Sequence, residues 1–255
     1  MDPGFRSPLI DFFRRGEVAR DIRLLAAQGA LAPRAHEQLG LLVLLVDDAD
    51  PEIAHSAEAT LQAIPREPLE AFLARSDVAT ELRSFFAARG IEPAGVAARD
   101  ADLPIVDTSP PLEPAAGEDE ASAMQRISRL NVAHRIALAM KGSREERAIL
   151  IRDPNKIVAV AVLSSPKMTE TEIESIAKMA SVSDEILRII ANTRQWMKRY
   201  SVMAALARNP KTPVAISMNL LPRLTEKDLR ALSADRNVPE VLRITARQKI
   251  VLQKK

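Results

Sequence analysis

The chain has 255 residues, no cysteine, 3% aromatics and eight glycines, and its 36 basic and 34 acidic residues leave a net charge of +2. The absence of thiols excludes a disulfide framework and thiolate chemistry, and the shortage of aromatics and glycine argues against a turn-rich all-β fold. The longest apolar run, Leu41 to Val46 after Gly40, is far short of the roughly 20 residues that span a bilayer, so no membrane association is expected.

Residues 1–6 read as a vector-derived scar, and the N-terminus lacks a basic stretch followed by an apolar one. No secretory signal is expected, and the expected location is the cytoplasm. Residues 1–91 form the first region, with a helical domain over 9–91. Apolar residues recur at three and four in Leu9–Phe13, Val18–Ala26, His36–Val46 and Ile53–Ile64, which is the spacing of one helix face. Gly16 and Gly29 fall where helices stop. Asp50-Pro51 supplies an N-cap before a proline whose missing N–H costs nothing at the first helical position, and Ile64-Pro65 closes that helix. Ser76-Asp77-Val78 opens the helix that carries Leu82-Arg83.

Residues 92–122 change character: proline, alanine, glycine and acids dominate and the helical spacing disappears. This reads as a disordered, flexible acidic linker, with an r.m.s. span of roughly 30 Å for a chain of that length.

Residues 123–255 are periodic. Asp153, Ser181, Asn209 and Asn237 are spaced by 28, and five residues after each comes an aliphatic: Val158, Ile186, Val214, Leu242. Equal spacing of helix-start and core residues marks a tandem unit, and a unit too short to bury its own apolar face stacks on its neighbours. Each unit reads as two helices. Asp153-Pro154 and Asn209-Pro210 open the first, Pro166 and Pro222 follow it, and Thr169-x-x-Glu172 and Thr225-x-x-Asp228 cap the second. In the second helix the expected core positions are Ile173, Ser201 and Leu229, then Ile176, Ala204 and Leu232. Asn131–Leu150 looks like a shorter upstream copy, with Gly142 as its stop and Ser143-x-x-Glu146 as a capping box. The expected fold class is all-α, with two-helix repeats of about 28 residues stacked as an α-solenoid and two helical modules joined by the linker.

The helix pairs opening with RDPNKIVAVAVLSSP and RNPKTPVAISMNLLP resemble the HEAT-like α-solenoids, especially the bacterial leucine-rich repeat variant. The stretch from Ala137 to Arg247 is also similar to a group of bacterial helical-repeat proteins. The resemblance implies architecture and a surface for partners, and no particular activity. The variant repeat also occurs in a protein that carries an iron–sulfur cluster on cysteines; with no cysteine here, no cluster is implied.

Chemistry-bearing motifs are sparse. His36, His55 and His134 do not pair at metal-ligand spacing. The Asp47, Asp48, Asp50, Glu52 cluster lacks the glycine and the twelve-residue loop of a calcium site and is explained by helix capping. No phosphate-binding glycine loop or nucleophile elbow occurs. The expectation is a protein without enzymatic activity, cofactor or metal.

Charge gives the one functional signal. From Ala123 onward there are 25 basic and 12 acidic residues, a net +13; residues 1–122 hold 11 and 22, a net −11; the first lysine is Lys141. Arg194, Lys198 and Arg199 surround Trp196 and Tyr200 in what reads as one helix. The candidate partner-binding residues are Arg188, Arg194, Trp196, Lys198, Arg199, Lys211, Arg243 and Arg247. The leading expectation is a scaffold for a protein partner, an acidic one by charge, with Trp196 packed between helices. The alternative is a nucleic acid held along a basic groove and modulated by the acidic first half, which could also contact the basic half directly.

Overall fold

The computed structural model describes residues 7–31, 34–95, 104–106 and 120–253, and every regular element among them is helical. Two compact units divide between Lys167 and Met168.

The first unit holds α1 (Pro8–Arg14), α2 (Arg20–Ala27), α3 (Ala35–Leu45), α4 (Pro51–Ala63), α5 (Arg66–Leu73), α6 (Thr80–Ala87), α7 (Glu120–Ser128), α8 (Val132–Lys141), α9 (Arg144–Leu150) and α10 (Lys156–Leu163). The punctuation read from the sequence is visible. Asp50 caps α4 through Glu52 N, with Pro51 at the first position. Gly16 and Gly29 end helices at φ +72° and +81°, a region that glycine enters without steric cost. Ser143 and Glu146 form a capping box at α9. The helix expected from Ser76 begins at Thr80, because Asp77 is tied back to Arg75 at 2.7–2.9 Å.

Residues on both sides of 92–122 share this unit: α1 packs on α10 and α2 on α8. The physical reason is α10. Ile157 to Leu163 are all buried, and a helix that is apolar all round needs neighbours on every side. It has α8, α9 and α1. Most of 92–122, and residues 1–6, lie outside the described residues. Within that stretch Pro104–Val106 is described, and its backbone is bonded to Gln38 of α3.

The second unit holds α11 (Glu170–Lys178), α12 (Asp184–Asn192), α13 (Tyr200–Arg208), α14 (Val214–Leu220), α15 (Glu226–Ala234) and α16 (Glu240–Gln253). Helix α11 packs on α13, α13 on α14, α14 on α16 and α15 on α16. Thr169 and Glu172 form the expected capping box, and Thr225 accepts from Asp228 N at 3.3 Å.

The spacing of 28 is kept on average and broken locally. Helices α11, α13 and α15 begin at 170, 200 and 226, steps of 30 and 26. A short 3-10 turn, Trp196–Lys198, delays α13. In consequence Ser201 is exposed and Val202 takes the buried place. Val214 is likewise not a core residue: it is 41% exposed, at the start of α14, while Ser217 is buried on that helix. The aspartate and asparagines of the repeat do not cap their helices either. Asp153 and Asn209 accept N–H bonds two residues on, from Asn155 and Lys211 at 2.8 and 2.9 Å, and α10 and α14 start beyond those turns. Pro154 and Pro210 therefore sit in turns rather than at a first helical position.

Candidate functional site

Thr193 ends α12. Its hydroxyl donates to Ile189 O at 2.8 Å, and its backbone leaves the helical region at ψ 103°. The residues expected to lie in one helix are thus divided: Arg194 follows α12, Trp196 and Lys198 are in the 3-10 turn, Arg199 is the N-cap position of α13 and Tyr200 opens it. Trp196 is half-buried and Tyr200 exposed.

The candidate cations have different fates. Arg188 pairs with Asp184 of its own helix at 3.6 Å. Arg199 pairs with Glu170 of α11. Arg247 donates to Ser233 O of α15 at 3.2 Å, and the Nε of Arg243 is buried without a hydrogen-bond partner among the described residues. Arg194, Lys198 and Lys211 are exposed and have no ion-pair partner among the described residues.

The structure brings together a set that the sequence did not single out. A groove of about 450 Å³ runs between α11, α13 and α15, lined by Glu174, Lys178, Tyr200, Ser201, Arg208 and Asp228 among others. Asn209, 4% exposed, holds its base: the side-chain N–H groups donate to Ala177 O at 2.8 Å and Met179 O at 2.9 Å. That amide bridges the orphan carbonyls at the end of α11. On the other side, Asp228 accepts from the Tyr200 hydroxyl, from Thr225 Oγ1 at 2.9 Å and from Arg208. Tyr200 Oη also accepts from Thr225 N at 2.9 Å. A signal for this pair was present: Tyr200 and Asp228 are 28 apart, the spacing read from the sequence.

The Tyr200 hydroxyl, then Thr225 and Arg208, hold the Asp228 carboxyl below its ordinary range against the opposing effect of burial. Lys178, at 2.5 Å, and then Ser201 do the same for Glu174. A depressed carboxylate pKa adds stability above the unfolded pKa and loses it as pH falls through the folded one. Tyr200→Phe should therefore raise the Asp228 pKa toward the usual carboxylate value and leave less stability to be lost in acid. A carbon-detected NMR titration of the Asp228 carboxyl reads this; an unmoved midpoint would mean that the hydroxyl is not holding the charge.

The groove presents paired charges and hydroxyls. Residues 168–255 contain neither histidine nor cysteine, and among the described residues no group of three or more His, Cys, Asp or Glu could hold a metal ion. No family model, curated protein or solved structure matches the chain at a significant level.

Proposed function

We propose that the second unit is a stack of two-helix repeats of the HEAT-like kind, and that the chain is a non-enzymatic scaffold whose α11–α13–α15 groove receives a protein partner. The stacking reading is supported by the sequence separation of its cross-helix bonds. Tyr200 meets Asp228 28 residues on, Arg223 reaches Met197 over 26, and Asn209 reaches Met179 over 30. Separations of about one repeat are what stacked copies produce.

The observation that carries the partner reading is charge pairing along the groove. Lys178 is answered by Glu174 and Arg208 by Asp228, all four on the groove wall. Alternating, internally paired charge suits a polar protein face and fixes its register. Outside the groove wall, exposed Arg194, Lys198, Lys211 and Arg223 have no ion-pair partner among the described residues, and they favour an acidic segment on the partner.

The nucleic-acid reading keeps one observation in its favour: residues 186–225 carry seven basic residues and no carboxylate. Salt dependence separates the two. The four of these without an ion-pair partner among the described residues (Arg194, Lys198, Lys211 and Arg223) give a slope of log K against log salt of about −4 on a duplex, and all seven give about −6. Titration of the full chain into labelled 30-nucleotide single strands and 30-base-pair duplexes should give a shallow slope and a Kd weaker than about 100 µM at physiological salt, at the weak end of non-specific binding. Submicromolar binding with the steep slope, abolished by R194A/K198A/K211A, would replace the scaffold reading with the nucleic-acid one.

A further inference from the structure

Helix α16 has two apolar faces, and the fold covers one of them. It packs on α15 and α14, and Leu242 and Ala246 are buried there. On its outer side Val241, Ile244, Val251 and Leu252 are 45–69% exposed. They are four of the seven large apolar side chains exposed among the described residues, so the uncovered apolar surface is concentrated on this one helix. None of them lines the groove between α11, α13 and α15. Single exposed aliphatics are ordinary, but a row of them at helical spacing marks a face that another element covers.

Val241, Ile244, Gln248 and Val251 follow one another at steps of three, four and three, the spacing of a seam between two helices. With Leu252 beside them they fall within about 100° of arc, on a stripe roughly 16 Å long. Leu242 and Ala246 lie on the other side of the helix, so covering the stripe leaves the packing on α14 and α15 as it is. Charge then selects the occupant. Arg243, Arg247 and Lys249 stand on α16 against one carboxylate, Glu240. Arg247 is exposed beside the middle of the stripe, and its bond to Ser233 O at 3.2 Å leaves its charge uncompensated. Two copies paired antiparallel through the stripe would set Arg247 against itself near the two-fold axis. Paired in parallel they would set it against Thr245 and Leu252. Neither arrangement supplies a carboxylate, and flanking charge is what decides which helices pair.

We propose that the outer face of α16 docks an amphipathic helix of a protein partner, with aliphatics along its seam and Asp or Glu on its flanks. Val241, Ile244 and Val251 lose water against the incoming aliphatics, Gln248 sets the register as a single polar seam residue does, and Arg247 meets an acid on the flank. This surface is separate from the groove and goes beyond the reading given above: changes on α16 leave the groove wall intact. An anionic membrane offers the same two chemistries, acid and apolar. The stripe suits it less, because it is narrow, has Gln248 at its centre, and α16 carries no aromatic residue, whereas an interfacial helix presents a broad apolar face with Trp, Phe or Leu.

The test uses the full chain and a fluorescein-labelled helical peptide of three heptads, with leucine at both seam positions and glutamate on both flanks, read by anisotropy. Its own charge keeps this peptide monomeric, and a twin with lysine on the flanks is the control. The glutamate peptide should bind at least tenfold more tightly than the lysine peptide. Val241→Ser with Ile244→Ser and Val251→Ser, all at exposed positions, should weaken it at least tenfold, and Arg247→Glu should remove most of the preference for glutamate. Equal binding of the two peptides, or a glutamate-peptide affinity that the folded serine variant does not lower, overturns the proposal. Should the serine variant unfold, Arg247→Glu decides: an unchanged preference for glutamate rules out contact with this face. Sedimentation with phosphatidylserine–phosphatidylcholine vesicles that the serine variant loses, with neither peptide bound, overturns it in favour of lipid. A dimer in sedimentation velocity that the serine variant loses, again with neither peptide bound, overturns it in favour of a second copy.

Discussion

Asn209→Ala should lower the unfolding free energy by about 3 kcal/mol, at roughly 1 kcal/mol net for each hydrogen bond lost. The side chain is buried and makes three: two donated across to Ala177 O and Met179 O, and one accepted from Lys211 N at 2.9 Å. The variant Asn209→Asp separates bridging from turn formation. Aspartate forms the same two-residue turn, but it places a carboxylate oxygen where the amide faced two carbonyls. If the bridge between α11 and the α13–α14 turn matters, the aspartate is at least as costly as the alanine; if only the turn matters, it costs little. Urea unfolding at unchanged m-value measures both. An Asn209→Asp protein within about 0.5 kcal/mol of the unmodified chain, the range of neutral surface changes, would mean that the bridge contributes nothing.

The second large effect is a contrast between two positions that the 28-residue spacing of the sequence would make equivalent. Ile186 and Val214 are 28 apart, yet Ile186 is 1% exposed and Val214 41%. Ile186→Ala should cost about 2–5 kcal/mol, the range for emptying a buried aliphatic site. Val214→Ala should stay within about 0.5 kcal/mol. Thermal or urea unfolding of the two variants side by side reads the difference. Equal costs would mean that α14 faces its neighbours in the register the sequence period alone implies, with Val214 inward.

These two cases show what the sequence carried. Helix class and the caps at Asp50, Ser143, Thr169 and Thr225 were legible because each rests on local chemistry: a hydroxyl or carboxylate reaching a nearby N–H, a glycine at positive φ, an aliphatic at helical spacing. The exposure of Val214 and Ser201 was not. It follows from a 3-10 turn at Trp196–Lys198 that delays α13 by two residues, and from a start of α14 set beyond the Asn209–Lys211 turn. Period counting averages over such slips. The candidate cations were legible as cations only. Arg188, Arg199 and Arg247 are spoken for by Asp184, Glu170 and Ser233 O, and pairing of that kind depends on which helices become neighbours. The groove residues Tyr200 and Asp228 were open to the same 28-residue count that found the core. Polar residues at equal spacing are easily passed over when hydrophobic ones define the repeat. The contact of Gln38 with Ile105 and Val106 left no mark in the pattern, because a buried glutamine on an apolar helix and a dipeptide 67 residues later have no periodic relation.

The placement of α11, α13 and α15 around one groove underlies both the proposed stacking and the proposed partner site, and proton NOEs reach it most directly. The chain has a single tyrosine, so its ring signals need no disentangling. Cross-peaks are expected from the Tyr200 ring to Thr225 and from the Asn209 side-chain amide protons to Ala177 and Met179. Tyr200 cross-peaks confined to its own helix and the preceding turn, together with a freely exchanging Asn209 amide, would contradict that placement.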